Sequence, residues 1–297
     1  MQASLVIPTY NREELLVQTL RCALAQTHPE LEILVIDQTR EHTPETVAFL
    51  KDHHTRLIHL RPDFASVTKA RNEGLRRAKG EVIIFIDDDT FFEPDFVANH
   101  VAAHADGTDV VQGRVTEQGS KKPDRPTWLT GSLRFKGGDN YDRDGLTNNI
   151  TGCNFSLRRE VMARIGYFDE NFKGVSVREE SDYARRAWKA GLSFKFSAKA
   201  ALFHHKSPTG GVGSGVKNNF FEKSYYFCEL LFAKKHFSPW TVFSYRLRLY
   251  WRGFKNLKKL IRAAEQEADE ALKGASHAMH DQPRMAGQGS TPGTDKR

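Results

Sequence analysis

Glu81-Val82-Ile83-Ile84-Phe85-Ile86, followed at once by Asp87-Asp88-Asp89, decides the reading of this chain. The first six residues form a short apolar run rich in β-branched side chains, the pattern of a buried strand. Three carboxylates at the C-terminal end of such a strand repel one another. A chain tolerates that where a cation or hydrogen-bond donors offset the repulsion. The carboxyl ends of parallel strands are also where open α/β sheets bind ligands. A divalent metal with a phosphorylated ligand is therefore the first expectation.

Upstream, the pattern alternates. Leu5-Val6-Ile7 reads as a first strand, Pro8 to Asn11 as a turn and Arg12 to Ala25 as a helix. Ile33-Leu34-Val35-Ile36-Asp37 is a second buried strand that again ends in a carboxylate. Thr43-Pro44-Glu45 opens a second helix with proline at its first helical position. Leu57-Ile58-His59-Leu60 is a third strand, and Ser66 to Ala78 a third helix stopped by Gly80. Strands and helices alternating at this spacing imply a mostly parallel, Rossmann-like sheet flanked by helices, an α/β fold.

Downstream the texture changes. Residues 116–149 are rich in Gly, Asp, Lys and Pro and read as an ordered loop region or flap. Residues 150–206 regain apolar segments and a helix from Glu179 to Ala190, and residues 207–218 form a glycine-rich loop. The expected organisation is one α/β domain over 1–218, in two parts at 1–115 and 116–218. A basic, aromatic helical extension follows at 219–273, then a disordered tail at 274–297.

The net charge of +7 and the pI near 9.2 imply an anionic partner: nucleotide, phospholipid surface or nucleic acid. Cys22, Cys153 and Cys228 lie far apart, with neither zinc spacing nor a disulfide framework, which fits a reducing compartment. The first residues enter a strand with no charged or long apolar leader, and no window reaches 18 uncharged apolar residues. A cytoplasmic protein is expected.

Several residues carry candidate chemistry. Asp37 can accept hydrogen bonds from a base or ribose, or cap the next turn. Lys69-Ala70-Arg71-Asn72 puts a cation early in a helix, where it can meet a diphosphate or form an exposed basic face. No Gly-x-x-x-x-Gly-Lys-Ser/Thr loop and no Gly-x-Gly-x-x-Gly follows the first strand, which argues against P-loop and dinucleotide-binding folds. An Asp-x-Asp-x-Thr phosphatase would need threonine at Phe91, and an EF-hand would need glycine at Phe92. Glu179-Glu180-Ser181-Asp182 begins a helix, as the macrodipole favours, and one of its carboxylates could be a general base. His204-His205 follows Ala201-Leu202-Phe203, a further strand. A neutral imidazole there could complete a metal shell opened by Asp89, and a solvated surface pair is the plainer alternative.

Six elements in this order resemble a family 2 glycosyltransferase of the GT-A fold. They are Val6-Ile7-Pro8-Thr9-Tyr10-Asn11-Arg12, Ile36-Asp37, the run from Ala70 through Gly80 to Asp89, Thr151-Gly152-Cys153-Asn154-Phe155-Ser156, Gly166-Tyr167-Phe168-Asp169-Glu170 and Glu179-Glu180-Ser181-Asp182-Tyr183. The resemblance covers roughly residues 3–215, and it implies a catalytic domain over 1–218 with a nucleotide-binding half at 1–115 and an acceptor half at 116–218. It implies that Pro8, Thr9, Tyr10 and Asp37 hold base and ribose and that Arg71 approaches the diphosphate. It also implies that Asp87 and Asp88 face the nucleotide, while Asp89 and His204 bind Mn²⁺ or Mg²⁺. Gly152, Asn154, Glu179 and Asp182 fall on the acceptor side. Glu180 stands where the family pattern has aspartate, one methylene longer, and is the base candidate, with Glu179 and Asp182 as rivals. The implied reaction is inverting transfer from a nucleoside-diphosphate sugar, a UDP-sugar by preference, to a hydroxyl acceptor in polysaccharide or glycolipid synthesis. Closure of the 207–218 loop would exclude water.

From Leu230 to Ala264 there are nine Lys or Arg and no acid. Phe243, Leu247, Tyr250, Phe254, Leu257 and Ile261 recur at helical spacing as one apolar stripe. Such a helix can lie on an anionic membrane, at the inner face of the plasma membrane for a lipid-linked acceptor, or pack on its own domain. Two other functions compete. A nucleotidyltransferase of nucleotide-sugar synthesis would want a glycine-rich loop after the first strand, where Pro8-Thr9-Tyr10-Asn11 stands. A nucleic-acid-binding protein would use the basic extension. Neither is preferred, and no nucleic-acid partner is expected.

Overall fold

The computed structural model describes residues 1–207, 209–212, 223–252 and 255–280, with side chains described except at 250–259 and 275–280. Strands β1 (Ala3–Thr9), β2 (Leu31–Asp37), β3 (Leu57–Leu60) and β4 (Val82–Ile86) lie in the order β3-β2-β1-β4, all parallel. Helices α1 (Glu14–Leu24), α2 (Pro44–Asp52) and α3 (Val67–Arg77) cross over between them. Local chemistry starts two of these helices: the Thr43 hydroxyl accepts from the Thr46 N–H, and the Ser66 hydroxyl from the Lys69 N–H. Successive strand residues point to opposite faces. Leu5, Ile7, Ile84 and Ile86 pack with Leu16 and Leu20 of α1, while Val6, Ile36, Ile83 and Phe85 pack with Ala70 and Leu75 of α3. A Cβ at Gly74 would collide with Val6, so glycine sets how closely α3 approaches β1.

The second half extends the same sheet. It comprises β5 (Thr90–Phe92), α4 (Phe96–Ala103), β6 (Val110–Thr116), β9 (Asn154–Arg158), α5 (Arg159–Ile165), α6 (Glu179–Lys189) and β10 (Phe194–His204). The full order is β3-β2-β1-β4-β9-β6-β10-β5. Pairing is parallel except where β9 meets β4 and β6, and where β5 meets β10. The last pairing sets His204 opposite Thr90, which brings the end of β10 to the acidic triplet. Within the 116–149 flap a two-stranded hairpin forms from β7 (Trp128–Leu129) and β8 (Phe135–Lys136).

Helices α7 (Lys223–His236), α8 (Pro239–Arg252) and α9 (Lys255–His280) close the described chain. Helix α7 is apolar around much of its circumference because it is central: Phe227, Leu230, Leu231 and Phe232 are buried between the flap's Leu129 and Leu133 and Ile261, Ala264 and Ala268 of α9. The expected single stripe is divided between two helices. Phe243 and Leu247 on α8 are 46% and 42% exposed, whereas Ile261 on α9 is fully buried. Tyr250, Phe254 and Leu257 lie outside the described side chains. The cations also find acids beyond residue 264, with Lys234 2.7 Å from Asp269 and Arg246 2.8 Å from Glu265. Helix α9 continues to His280, past residue 274 where the composition turns polar, and residues 281–297 lie outside the described residues.

Asp182 pins α7 to α6. Its fully buried carboxylate takes Lys235 at 2.6 Å, His236 at 2.8 Å and Arg186 at 2.9 Å. Burial opposes ionisation, but His236, Lys235 and Arg186 hold this carboxyl below the ordinary range. A depressed native pKa contributes stability above the unfolded value near 4, lost as the pH falls through it. Asp182→Asn should therefore cost about 3 kcal/mol at pH 7, the scale of breaking a buried pair. In denaturant titrations the gap to the parent should narrow below about pH 4. A gap that is absent, or unchanged at pH 3, would contradict this role.

Candidate active site

The three aspartates leave β4 into different surroundings. Asp88 is buried and accepts from Thr9 Oγ1 and Arg12 Nη1, each at 2.6 Å. Burial pushes its carboxyl up to about 6 against the pull of Arg12 and Thr9. Asp89 is fully buried, and its Oδ2 accepts the Ser207 N–H at 2.9 Å. Its Oδ1 lies 2.8 Å from Arg12 Nη1 and 3.3 Å from His204 Nε2, but neither is aligned to hydrogen-bond it. Burial works against ionisation, yet His204 and Arg12 bring this carboxyl down to about 2. Asp87 is the most open of the three, 3.9 Å from His204 Nε2 and 4.0 Å from Arg71 Nη2.

This donor set fits a divalent cation. Asp89 Oδ1 is a buried acceptor without a hydrogen bond, His204 Nε2 lies 3.3 Å from it, and Asp87 lies 3.9 Å from that same imidazole nitrogen. Two carboxylates and one imidazole suit Mn²⁺ or Mg²⁺. Cys153 offers a sulfur within 4.8 Å of the Asp87 and His204 donor atoms. Burial raises its thiol well above the ordinary range, so it stays protonated and is a poor ligand. Burial alone would lower His204, but Asp89 and Asp87 outweigh it and raise it, so a metal there would replace a proton.

Beside the triplet, at the ends of β1 and β2, lies a cavity of roughly 550 Å³ lined by Tyr10, Asp37, Thr39, Arg61 and Phe64, among others. Asp37 is at once the wall of this cleft and the cap of the following turn, where its Oδ1 accepts the Thr39 N–H at 2.9 Å. Its Oδ2 receives His42 Nε2 at 2.6 Å and His59 Nε2 at 2.7 Å, and His42 Nδ1 faces Glu13 at 3.0 Å. Although burial opposes it, His59 and His42 bring Asp37 down to about 2. Sequence reading missed both histidines. His59 was findable: it pairs with Val35, two residues before Asp37, and so shares its face of the sheet. Pro8 pairs with Ile36 at the cavity's edge, while the Thr9 hydroxyl is occupied by Asp88 rather than open to a ribose.

The expected diphosphate and acceptor contacts need correction. Arg71 lies on the buried face of α3, so its guanidinium is not an open diphosphate contact. Its Nη1 is 2.7 Å from Glu179 Oε1, and its Nη2 donates to the Gly152 carbonyl at 3.2 Å. Gly152 makes room for that guanidinium, because a Cβ there would strike it. Asn154 is fully buried in β9, donates to the Arg114 and Ala200 carbonyls and pairs with His100, so it is a structural residue. Asp182 faces α7, which removes it as a rival base. Glu180 is half-buried, and it adjoins Glu179, Arg71 and Arg178 closely enough to affect their charges. Burial and Glu180 push the Glu179 carboxyl up against the pull of Arg71. Arg178, just before α6, holds a left-handed φ of 73°, kept there by Glu229 at 2.9 Å and the Phe135 ring at 4.3 Å.

The segment after β10 crosses this site. The His205 N–H donates to the Asp89 carbonyl, Arg12 Nε to the Thr209 carbonyl and the Gly211 N–H to the Tyr10 carbonyl. Of the 207–218 loop, residues 208 and 213–218 lie outside the described residues. Arg12 is the cation that the sequence left unassigned, though it ends the very motif that opens the chain.

The family described as glycosyl transferase family 2 matches residues 4–166, more than half of the chain. The glucosyl-dolichyl phosphate glucuronosyltransferase of Haloferax volcanii is 28% identical over 181 residues, covering 58% of this chain and 57% of that protein. The match thus spans little more than half of that relative. The structure of S. aureus TarS in complex with UDP-GlcNAc superposes with a TM-score of 0.59 at 20% identity, covering 79% of this chain and 66% of that one. The mannosyltransferase of Pyrobaculum calidifontis, in complex with GDP-Man and Mn²⁺, gives 0.56 at 18% identity, covering 93% and 75%. At such identities these likenesses speak for the GT-A fold. On the family match, this chain belongs to glycosyl transferase family 2.

Proposed function

We propose that this chain transfers a sugar from a nucleoside-diphosphate sugar to a hydroxyl acceptor, with inversion at the anomeric carbon. The observation that carries the reading is the Asp89 Oδ1 without a hydrogen bond, with His204 beside it and Asp87 beside His204, near a cavity of roughly 550 Å³ at the same strand ends. Tyr10, Asp37, Arg61 and Phe64 would enclose the base and ribose. Asp89 and His204, with Asp87 beside them, would hold Mn²⁺ or Mg²⁺, which would offset charge on the leaving diphosphate. Glu180 takes the acceptor proton as the hydroxyl attacks from the face opposite the leaving group. A UDP-sugar is the preferred donor class, given the likeness to a protein seen with UDP-GlcNAc.

We place the acceptor in polysaccharide or glycolipid synthesis, which would bring the chain to a lipid surface. Among the described residues no helix is long and apolar enough to cross a membrane. Trp240, Phe243 and Leu247 present an exposed apolar edge on α8, and residues 239–262 carry seven cations and no acid. This pattern supports peripheral attachment to an anionic leaflet.

Three measurements test these readings. Glu180→Gln should keep donor affinity and lose transfer by roughly 10²–10⁴-fold, the scale of a general base. Near-normal turnover would instead hand the proton to Glu179. Asp89→Asn should abolish Mn²⁺-dependent binding of nucleoside diphosphate while circular dichroism stays unchanged, and parent binding indifferent to EDTA would sink the metal reading. The full chain should co-sediment with anionic vesicles at low salt and detach at high salt, and serine at Trp240, Phe243 and Leu247 together should release it. Absence of low-salt binding would leave α8 as a helix of its own domain.

A further inference from the structure

Among the described residues, Arg12 is the strong cation placed directly between two members of the triplet. Its Nη1 stands 2.6 Å from Asp88 Oδ1 and 2.8 Å from Asp89 Oδ1. The second oxygen is the same one that lies 3.3 Å from His204. The side chain is not free to wander. Asn11 turns the backbone through a φ of 52°, and its N–H donates to Thr39 Oγ1 at 2.8 Å. The Thr209 carbonyl accepts from Arg12 Nε, and Gly210 lies so close that a Cβ there would meet the Arg12 stem. With only 13% of its side chain exposed, the guanidinium holds its place in a site of low dielectric constant.

We propose that Arg12 is the resident counter-cation of the acidic triplet and that it competes with a divalent ion for Asp89. The inference rests on the reading that Asp89 and His204 hold that ion. An ion at Asp89 Oδ1 would lie within a few ångströms of the guanidinium whose Nη1 already stands 2.8 Å from that oxygen. Like charges so close in a buried site oppose each other strongly. A nucleoside diphosphate brings the negative charge that lets both cations stay. The ion alone should therefore bind weakly, and ion and nucleotide should load together. Arg12 is in this sense a positioning residue: it holds Asp88 and Asp89 in register while setting the order of loading.

The test is titration of the full-length protein with Mn²⁺ alone, followed by loss of the free-ion signal in electron paramagnetic resonance. Arg12→Met, which keeps the stem and removes the charge, should tighten nucleotide-free Mn²⁺ binding by about tenfold, and excess UDP should narrow that difference. Arg12→Gln, which can still hydrogen-bond Asp88, should act in the same direction and serves if the methionine variant fails to fold. Adding Asp89→Asn to Arg12→Met should remove the gain, because the ion sits on that carboxylate. A merely structural role for Arg12 would weaken ion binding. Unchanged or weaker binding in the charge-free variants, with parent binding intact in the presence of UDP, overturns the role of Arg12. Failure of every form to bind Mn²⁺, even with UDP, overturns the metal reading beneath it.

Discussion

Three ionised carboxylates cannot stand at one strand end without cations, and the rest of this fold is arranged to deliver them. Arg12 comes from the turn after β1, Arg71 from the inner face of α3 and His204 from the end of β10. These residues are far apart in sequence and meet only because β4 is the strand at which the parallel half joins the rest of the sheet. The antiparallel β9 inserted there carries β6 and β10 to its far side, and β10 then returns to β5 with His204 beside Asp89. The charge constraint and the topology are two descriptions of the same arrangement.

The buried pair of Arg71 and Glu179 extends this logic to the start of α6. Desolvating two charges costs several kcal/mol per ion, so such a pair seldom adds net stability. It does fix geometry. Glu179 begins α6, and its bond to a guanidinium that also approaches Asp87 sets the distance between the helix start and the carboxyl end of β4. Glu180 follows it at the helix start, half-buried beside Glu179. Its neighbour Glu179 takes the buried position and the raised affinity for a proton.

Much of this was legible in the sequence. The apolar runs gave strands and the carboxylates at their ends marked the ligand edge of the sheet, because burial and charge repulsion act over a few consecutive residues. The roles that failed to read were those set by long-range contact. Arg71 sits at the right helical position for a diphosphate, but nothing local says that α3 turns it inward against Glu179. Asn154 lies in a glycine-containing motif, yet its amide is consumed by carbonyls of Arg114 and Ala200. The apolar stripe from Phe243 to Ile261 is regular in sequence, and only the break between α8 and α9 shows that its two ends face different surroundings.

The same long-range reasoning changes the meaning of the C-terminal extension. Arg178 sits at the strained residue before α6, and its guanidinium is held by Glu229 of α7, which also accepts from Tyr245 of α8. One helical turn later, Asp182 is bound to Lys235 and Asp169 to the same lysine. A left-handed non-glycine residue costs of order 1–3 kcal/mol and persists only where its surroundings over-determine it. Here α7 and α8 supply those surroundings. The extension is thus part of the support for Glu179 and Glu180 themselves. The exposed edge of α8 lies on the same helix as that support, so a surface docked there would be mechanically close to the residues proposed to handle the acceptor.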